Sequence, residues 1–250
     1  MNYKTIHAGL GLVLTLLTTT THAGTWQVGV LAENSRSPFL DDRNETNGLP
    51  EVSYIGDRFS YLGGKIEYGL SSGEGSNTYI VGQIRQRQFY SASTDFSDDL
   101  GIEGMNDRDP AFELGLGLKN KMTWGQFVLE GVFDATGVYE GYELSATYSY
   151  PNQSGRWMIE PAMGLQLQSS DLVDYYHGVT VSEARVDRPA YQGDQAINTF
   201  ASLTVGYSIN AQLLAIAGME QLALDTSITD SPIVDEDQIR KVYLGLIYSF

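Results

Sequence analysis

The sequence predicts an all-β fold: a transmembrane, antiparallel up-and-down β-barrel of about ten strands, with short periplasmic turns and longer extracellular loops. Three observations lead to this prediction. Apolar and polar residues alternate with a period of two in many segments. The connections between those segments alternate between short and long, and aromatic residues gather near segment ends, where a bilayer interface would lie.

Residues 1–23 have the features of a secretory signal. Lys4 lies in a short polar lead, an apolar core runs from Ala8 to Leu17, and Thr21-His22-Ala23 ends the segment, which predicts cleavage after Ala23. The core is too short for a membrane anchor, which needs roughly 20 apolar residues. We therefore assign 24–250 to the barrel and expect it in the outer membrane of a Gram-negative bacterium.

Composition excludes several classes of protein. The formal net charge of −16 makes nucleic acid a poor partner. The chain has no cysteine, so it can form neither disulfides nor thiolate metal sites. After residue 23 no stretch approaches 18 consecutive apolar residues, which excludes helical membrane spans. We predict no cofactor and no metal site.

Period-two alternation is clearest at 111–119. Phe112 and Leu116 share one face of this segment, and Glu113 and Lys119 share the other. The same pattern predicts strands at 24–33, 51–70, 78–90, 111–119, 122–134, 140–150, 156–169, 196–208, 212–222 and 239–250. If the chain starts and ends in the periplasm, long and short connections then alternate without exception.

Two of these strands are irregular. The segment 51–70 exceeds the about 9–11 residues of a spanning strand and contains Gly63-Gly64, so it is a kinked strand or a hairpin. Splitting it and adding a strand within 170–196 gives the alternative of twelve strands. Pro161 withdraws a donor from a ladder without a free edge, so we expect a β-bulge there.

In a membrane barrel the apolar face of each strand meets lipid and the polar face lines the interior. Charges in that interior are costly unless they are paired across it. The charges expected to meet there are Arg85, Arg87, Glu113, Glu130, Glu143 and Glu160. A barrel of this size is narrow, so its side chains should largely fill it, and a wide diffusion pore is disfavoured.

The chain ends in an amphipathic strand whose apolar face carries Leu246, Tyr248 and the terminal Phe250. An aromatic residue at this position resembles the signal by which outer-membrane barrels are assembled. We therefore expect the barrel assembly machinery to be a partner, together with outer-membrane lipid and lipopolysaccharide.

The C-terminal half contains sharper motifs. They are Asp174-Tyr175-Tyr176-His177-Gly178-Val179, Ser182-Glu183-Ala184, Tyr191, Ser231-Pro232-Ile233-Val234 and Tyr248-Ser249-Phe250, with weaker echoes at Pro50 to Tyr54 and Gly104-Met105. In them the chain resembles the MipA/OmpV family over most of 24–250, although the family favours an aromatic residue where this chain has His177. The resemblance implies an outer-membrane barrel without an active site. For one member it implies a scaffold that links the lytic transglycosylase MltA to a murein synthase.

His177 is the single histidine after residue 23, and it lies near Asp174, Ser182 and Glu183 in the sequence. A lone histidine in a tyrosine-rich loop is more often a packing residue than a base, so we predict that the protein is not an enzyme.

Acidic clusters at 41–42, 95–99, 107–109 and 235–237 are interpreted as solvated loops. The alternative is Ca²⁺ or Mg²⁺ binding beside lipopolysaccharide phosphates, but none has the spacing of a calcium loop.

Three functional hypotheses follow. The first is a non-catalytic scaffold or adaptor linked to peptidoglycan-processing enzymes, a lytic transglycosylase and a murein synthase, or to envelope maintenance. The motifs at 174–179 and 231–234 are its candidate interaction residues. The second is a narrow channel for small solutes, suggested by the polar lumen. A barrel hydrolase that uses His177 is a distant third.

Overall fold

The structure is a computed structural model that describes residues 24–39, 45–73, 75–85 and 104–250. The predicted signal, Arg87 and the acidic clusters at 41–42 and 95–99 lie outside these residues. The strands are β1 (Thr25–Ser35), β2 (Glu45–Ile55), β3 (Phe59–Leu62), β4 (Lys65–Gly73), β5 (Ser76–Arg85), β6 (Ala111–Met122), β7 (Gly125–Asp134), β8 (Tyr142–Ser149), β9 (Asn152–Ser154), β10 (Trp157–Gln168), β11 (Ala196–Ser208), β12 (Leu213–Ala223) and β13 (Gln238–Ser249). The helices are α1 (Ser170–His177) and α2 (Thr226–Thr229).

The strands form one antiparallel sheet that closes on itself. Each strand pairs with its neighbour along the chain, and β13 pairs with both β12 and β1. β8 and β9 follow one another along β10 and occupy a single position in the sheet. The 13 strand segments therefore make a closed barrel of 12 strands. Closure pairs backbone groups that could find no water partner inside a bilayer.

The expectation of ten strands is wrong, and the segment 51–70 is the reason. It contains the end of β2, all of β3 and the start of β4. Gly63 and Gly64 turn the chain with positive φ angles of 54° and 91°, which other residues disfavour. The alternative of twelve strands is correct in number, but 170–196 adds no strand to the barrel. That segment contains α1 and an isolated bridge between Val179 and Tyr191.

The short strand β3 also breaks the expected alternation of connections, because the turn at 63–64 is a two-residue connection on the loop side. Because β3 pairs with β2 only at residues 53–55, residues 45–52 of β2 are paired with β1 only within the described residues. Pro50 lies in this stretch, and proline is tolerated on a strand edge because it has no N–H to donate.

Pro161 does not produce the expected β-bulge. β8 and β9 keep one register along β10 on both sides of it. The ladder is interrupted only at Tyr150-Pro151, because Pro151 and Pro161 both lack an N–H to donate. The Tyr150 N–H still donates to the Pro161 carbonyl at 3.0 Å. A register shift lies instead in β4, between Gly69 and Ser71.

The apolar face of the strands points outward, as the alternation predicts. In β6, Phe112 and Leu116 are exposed on the outer surface, whereas Glu113 and Lys119 face the lumen. Aromatic rings pair along the periplasmic rim, where they would meet the bilayer interface. These ring pairs are Trp26–Tyr54, Trp124–Tyr148, Phe127–Tyr148 and Trp157–Tyr207, with centroids 4.8 to 5.9 Å apart.

Inward-facing glycines make room for rings that narrow the periplasmic half of the lumen. A Cβ atom on Gly117 would lie 2.1 Å from the Tyr79 ring, and one on Gly218 would lie 2.3 Å from the Tyr243 ring. Tyr243 also shares a hydrogen bond of 2.7 Å with Thr204. Large side chains therefore occupy this half of the barrel.

The final strand completes the barrel. Leu246 and Tyr248 face outward from β13, and the Phe250 N–H donates to the Trp26 carbonyl at 2.9 Å. Tyr248 and Phe250 meet edge to face at 5.1 Å. The geometry leaves this apolar face accessible, and its role as an assembly signal stays a prediction.

Candidate functional site

Arg85 is the centre of an ion-pair network at the loop side of the lumen. Its Nε donates to the Glu113 carboxylate, and its Nη2 donates to Glu143 Oε2 at 3.0 Å. Glu113 is 0% exposed and also accepts from Gln83 Nε2 at 2.7 Å and from the Tyr139 hydroxyl. The structure therefore brings Arg85 together with two of the four glutamates expected to meet it.

Glu130 pairs with Lys65, which the sequence analysis did not single out. Lys65 Nζ lies 2.6 Å from Glu130 Oε2, which also accepts from the Tyr79 hydroxyl at 3.0 Å. The alternation of charged and apolar residues at 65–68 could have assigned Lys65 to the lumen. It lay, however, inside the irregular segment 51–70. Glu160 is buried in the lumen opposite Thr204 of β11.

Three loop segments fold inward over the loop-side mouth, and we call 104–110, 169–195 and 224–237 together the plug. Leu172 and Tyr176 of α1 pack against Ala111, an inward-facing residue of β6. Val173 and Ile228 belong to a second apolar cluster that includes Ala196 of β11. Neither helix in the described part of the chain has the length or apolar content to cross a membrane.

The two sharp motifs meet inside the plug. Ser231 Oγ donates to the His177 carbonyl oxygen at 2.5 Å, which ties 231–234 to the end of α1. Val179 and Tyr191 exchange backbone hydrogen bonds of 2.8 and 2.9 Å. The Tyr191 hydroxyl donates to the Ser227 carbonyl at 3.0 Å. Segments far apart in the sequence thus form one packed unit.

Glu183 anchors a third segment to this unit. Its carboxylate accepts from the Asn106 N–H at 2.8 Å, from Arg108 Nη1 at 3.0 Å and from the Thr180 N–H at 3.0 Å. Burial alone would raise the pKa of this carboxyl, but the bonds from Arg108, Asn106 and Thr180 outweigh it and lower the pKa to about 2. Met105, in the weaker motif at 104–105, is buried in the apolar cluster that contains Val173 and Ile228.

The tyrosines at 175 and 176 pack into the plug. Tyr176 is 1% exposed, and its hydroxyl donates to the Asp109 carbonyl at 3.3 Å. The half-buried Tyr175 accepts from the Asp109 N–H at 2.8 Å and lies under the Arg108 guanidinium. Val179, Ile233 and Val234 are also buried. A partner could touch most of these motif residues only if the plug opened, and their role in an interaction stays a prediction.

His177 is held by packing. Its ring stacks on Phe39 with centroids 5.4 Å apart, and the Ser231 hydroxyl bonds to the backbone carbonyl of His177, not to its imidazole. Burial, followed by the charges of Arg108 and Arg85, lowers the pKa of the imidazole to about 4. The ring is therefore neutral at pH 7, and Ser231 is not placed as a nucleophile activated by it.

The plug should loosen as the pH falls. In the closed plug the imidazole of His177 stays neutral down to about pH 4, but in an open plug it takes a proton near its ordinary pKa of 6.5. The open form therefore binds more protons between these values, so closure loses stability as the pH falls through this window. Glu183 adds a second loss between 4.5 and about 2. Hydrogen exchange of amides 170–193, corrected for the intrinsic rate, should rise from pH 7 to 4.

A His177→Gln variant provides the control, because glutamine cannot titrate. Its exchange should change less between pH 6.5 and 4 than that of the parent protein, while the wall amides of β6 behave alike in both. Equal pH dependence in parent and variant would contradict the assignment to His177.

The acidic clusters within the described residues lie at the edge of the plug. Arg36 pairs with Glu236 at 2.6 Å, and the Asp235 N–H donates to the Pro38 carbonyl at 3.0 Å. Across the described ranges, no group of three or more His, Cys, Asp or Glu side chains is arranged to hold a metal ion.

A cavity of 380 Å³ lies in the lumen beneath the plug, and we call it the chamber. Leu172, Tyr176 and Ile228 form part of its plug side. Its wall carries five carboxylates and three cationic side chains, which are Glu113, Glu130, Glu143, Glu160, Glu220, Lys65, Arg85 and Lys241. The mixture of apolar and charged side chains around this enclosed space makes the chamber a candidate ligand site.

Comparison with known proteins agrees with this architecture. The family model described as "MltA-interacting protein MipA" matches residues 28–250. The chain is 25% identical to the "Putative outer membrane protein YiaT" of Escherichia coli K12 over 224 residues, which cover 89% of this chain and 90% of that protein. It is 27% identical to "Outer membrane protein OmpV" of Vibrio cholerae, over 92% of this chain and 88% of that one.

A third relative is the "MltA-interacting protein" of Escherichia coli K12. It is 22% identical over 243 residues, which cover 96% of this chain and 97% of the relative. The alignments thus span nearly the whole barrel in each case. The chain belongs to the MipA/OmpV family of outer-membrane β-barrel proteins.

Proposed function

We propose that the protein is a non-catalytic adaptor of the outer membrane that holds a peptidoglycan-processing enzyme, such as a lytic transglycosylase or a murein synthase, at the periplasmic face. The observation that carries the proposal is the inward fold of the loops. Since the loops cover the mouth and the lumen is narrowed below, the barrel is poorly built for bulk flow. The name of the MltA-interacting relative supports the class of partner.

The periplasmic rim is the surface that such a partner can reach. Arg58 in the turn at 56–58, Lys121 at the end of β6 and Arg156 before β10 are all exposed there. They are positive charges on a chain whose formal net charge is −16. Asp57 is exposed in the same turn as Arg58, so these four side chains together carry a net positive charge, and charge of one sign steers and orients partners of the opposite sign. We place the adaptor contact at this rim.

Crosslinking and affinity capture from outer-membrane fractions tests the proposal. The parent protein should capture a peptidoglycan-processing enzyme. A triple variant, Arg58→Glu, Lys121→Glu and Arg156→Glu, should lose most of that capture, because it reverses the rim charge. Arg36→Glu is the matched control, since Arg36 lies on the loop side, and it should capture as the parent does. Recovery of no such enzyme by the parent would refute the adaptor.

A narrow channel is the second candidate, and the chamber favours it, since the lumen encloses polar space between its walls. Planar-bilayer recordings distinguish the two functions. A channel gives discrete conductance steps with the purified protein, whereas an adaptor needs none.

A further inference from the structure

The chamber has an apolar wall where a barrel lumen is ordinarily polar. Phe200, Leu222 and Ile239 are directly opposite one another on β11, β12 and β13, and all three line the chamber. Leu224 and Ile228 of the plug continue this surface. Inward-facing positions of membrane barrels usually carry polar residues, so an apolar row there needs an apolar neighbour.

The next row toward the periplasm is polar and charged. Ser202, Glu220 and Lys241 are opposite one another there, and Glu220 and Lys241 line the chamber. Lys241 Nζ lies 4.0 Å from Glu33 Oε1, and the described residues give Glu220 no ion pair within 4.0 Å. Glu160 is buried one row further down. With five carboxylates against three cationic side chains, the chamber wall as a whole carries a net negative charge.

The shape of the wall keeps the chamber open. A Cβ atom on Gly164 of β10 would lie 2.6 Å from the Phe200 ring, so that ring lies against the wall at the glycine. A ring folded against the wall leaves the space in front of it empty. The volume of 380 Å³ falls within the roughly 300–1,000 Å³ of small-molecule pockets.

The side of the chamber near the plug also carries buried polar atoms without a hydrogen-bond partner among the described residues. Gln168 and His177 both line the chamber and are each 8% exposed. Gln168 Oε1 and His177 Nδ1 have no hydrogen-bond partner among the described residues. Buried polar atoms of this kind are ordinarily satisfied by a neighbour, a water or a ligand.

From these observations we infer that the chamber binds a small amphipathic organic cation, an ammonium group joined to an apolar or aromatic body. The apolar row of Phe200, Leu222 and Ile239 takes the body, and the Phe200 ring can also face the cation. The ammonium lies beside Glu220, which gains a partner of opposite charge. This site goes beyond the adaptor function, because it uses the lumen and not the rim.

The test measures binding of phenethylammonium to the full-length barrel in a neutral detergent by isothermal titration calorimetry. Two probes of similar size, neutral 2-phenylethanol and anionic phenylacetate, report the contribution of charge. Phenethylammonium should bind one to one and more tightly than either. Glu220→Gln should weaken it about tenfold, while leaving 2-phenylethanol unchanged.

Glu67→Gln is the matched control. Glu67 is also a lumen carboxylate, and it pairs with Lys119 and with Lys65 at 3.6 Å each. It does not itself line the chamber, and Lys65 keeps its closer pair with Glu130, so the loss of Glu67 should leave affinity as in the parent. Retention of heat-modifiable mobility on gels confirms that each variant is folded. Equal affinity for all three probes, no binding by the parent, or unchanged affinity in folded Glu220→Gln would each overturn the inference.

Discussion

Replacing Arg85 with methionine is expected to lower the free energy of unfolding by about 3–5 kcal/mol, the usual cost of removing one partner from a buried ion pair. Arg85 is bonded to both Glu113 and Glu143, and Glu113 is fully buried. Without the guanidinium, two carboxylates face each other in the lumen. Urea unfolding in lipid vesicles, followed by heat-modifiable mobility, measures the loss.

Two further variants identify the cause. The triple variant Arg85→Met, Glu113→Gln and Glu143→Gln removes all three charges, and it should recover much of the lost stability. Arg36→Met removes the same side chain from an exposed pair with Glu236, which should cost at most about 1 kcal/mol. If Arg36→Met and Arg85→Met destabilise equally, the lumen network is not a special source of stability.

The barrel wall could be predicted from the sequence because its signal is local. Alternation along 111–119 assigns Phe112 to lipid and Glu113 to the lumen without knowledge of any neighbour. The failure at 51–70 has a local cause as well. Gly63-Gly64 makes a turn inside a segment whose alternation continues on both sides, so the strand count depended on how those two glycines were interpreted.

The plug could not be predicted in the same way, because its contacts join segments far apart in the sequence. Met105, Val173 and Ile228 have no common periodicity, yet they pack in one cluster. The family motifs indicate the right segments but not their burial, so from sequence alone 174–179 and 231–234 are candidate interaction residues. One local signal was available: Ser169 is an N-cap residue, and its Oγ accepts from the Leu172 N–H at 3.4 Å.

Excision of the plug segment 169–195 is expected to make the chamber reachable from outside the cell. Gln168 and Ala196 are a cross-strand pair, so their ends are adjacent, and a Gly-Ser linker of about four residues can replace the segment. The chain contains no cysteine, so Ser202→Cys in the wall of the chamber introduces a single thiol. A membrane-impermeant maleimide added to intact cells should label this thiol at least about tenfold faster after excision, since Leu172 and Tyr176 no longer cover it.

Thr136→Cys is the matched control for this experiment. Thr136 is exposed in the loop between β7 and β8, so it should label quickly with or without 169–195. Excised protein that keeps its heat-modifiable mobility is folded, and only such protein is compared. Should Ser202→Cys label at the same rate in both backgrounds, α1 is not the barrier to the lumen. Faster labelling would mean instead that the buried family motifs restrict access from the cell exterior, which leaves the periplasmic rim as the accessible surface for a protein partner.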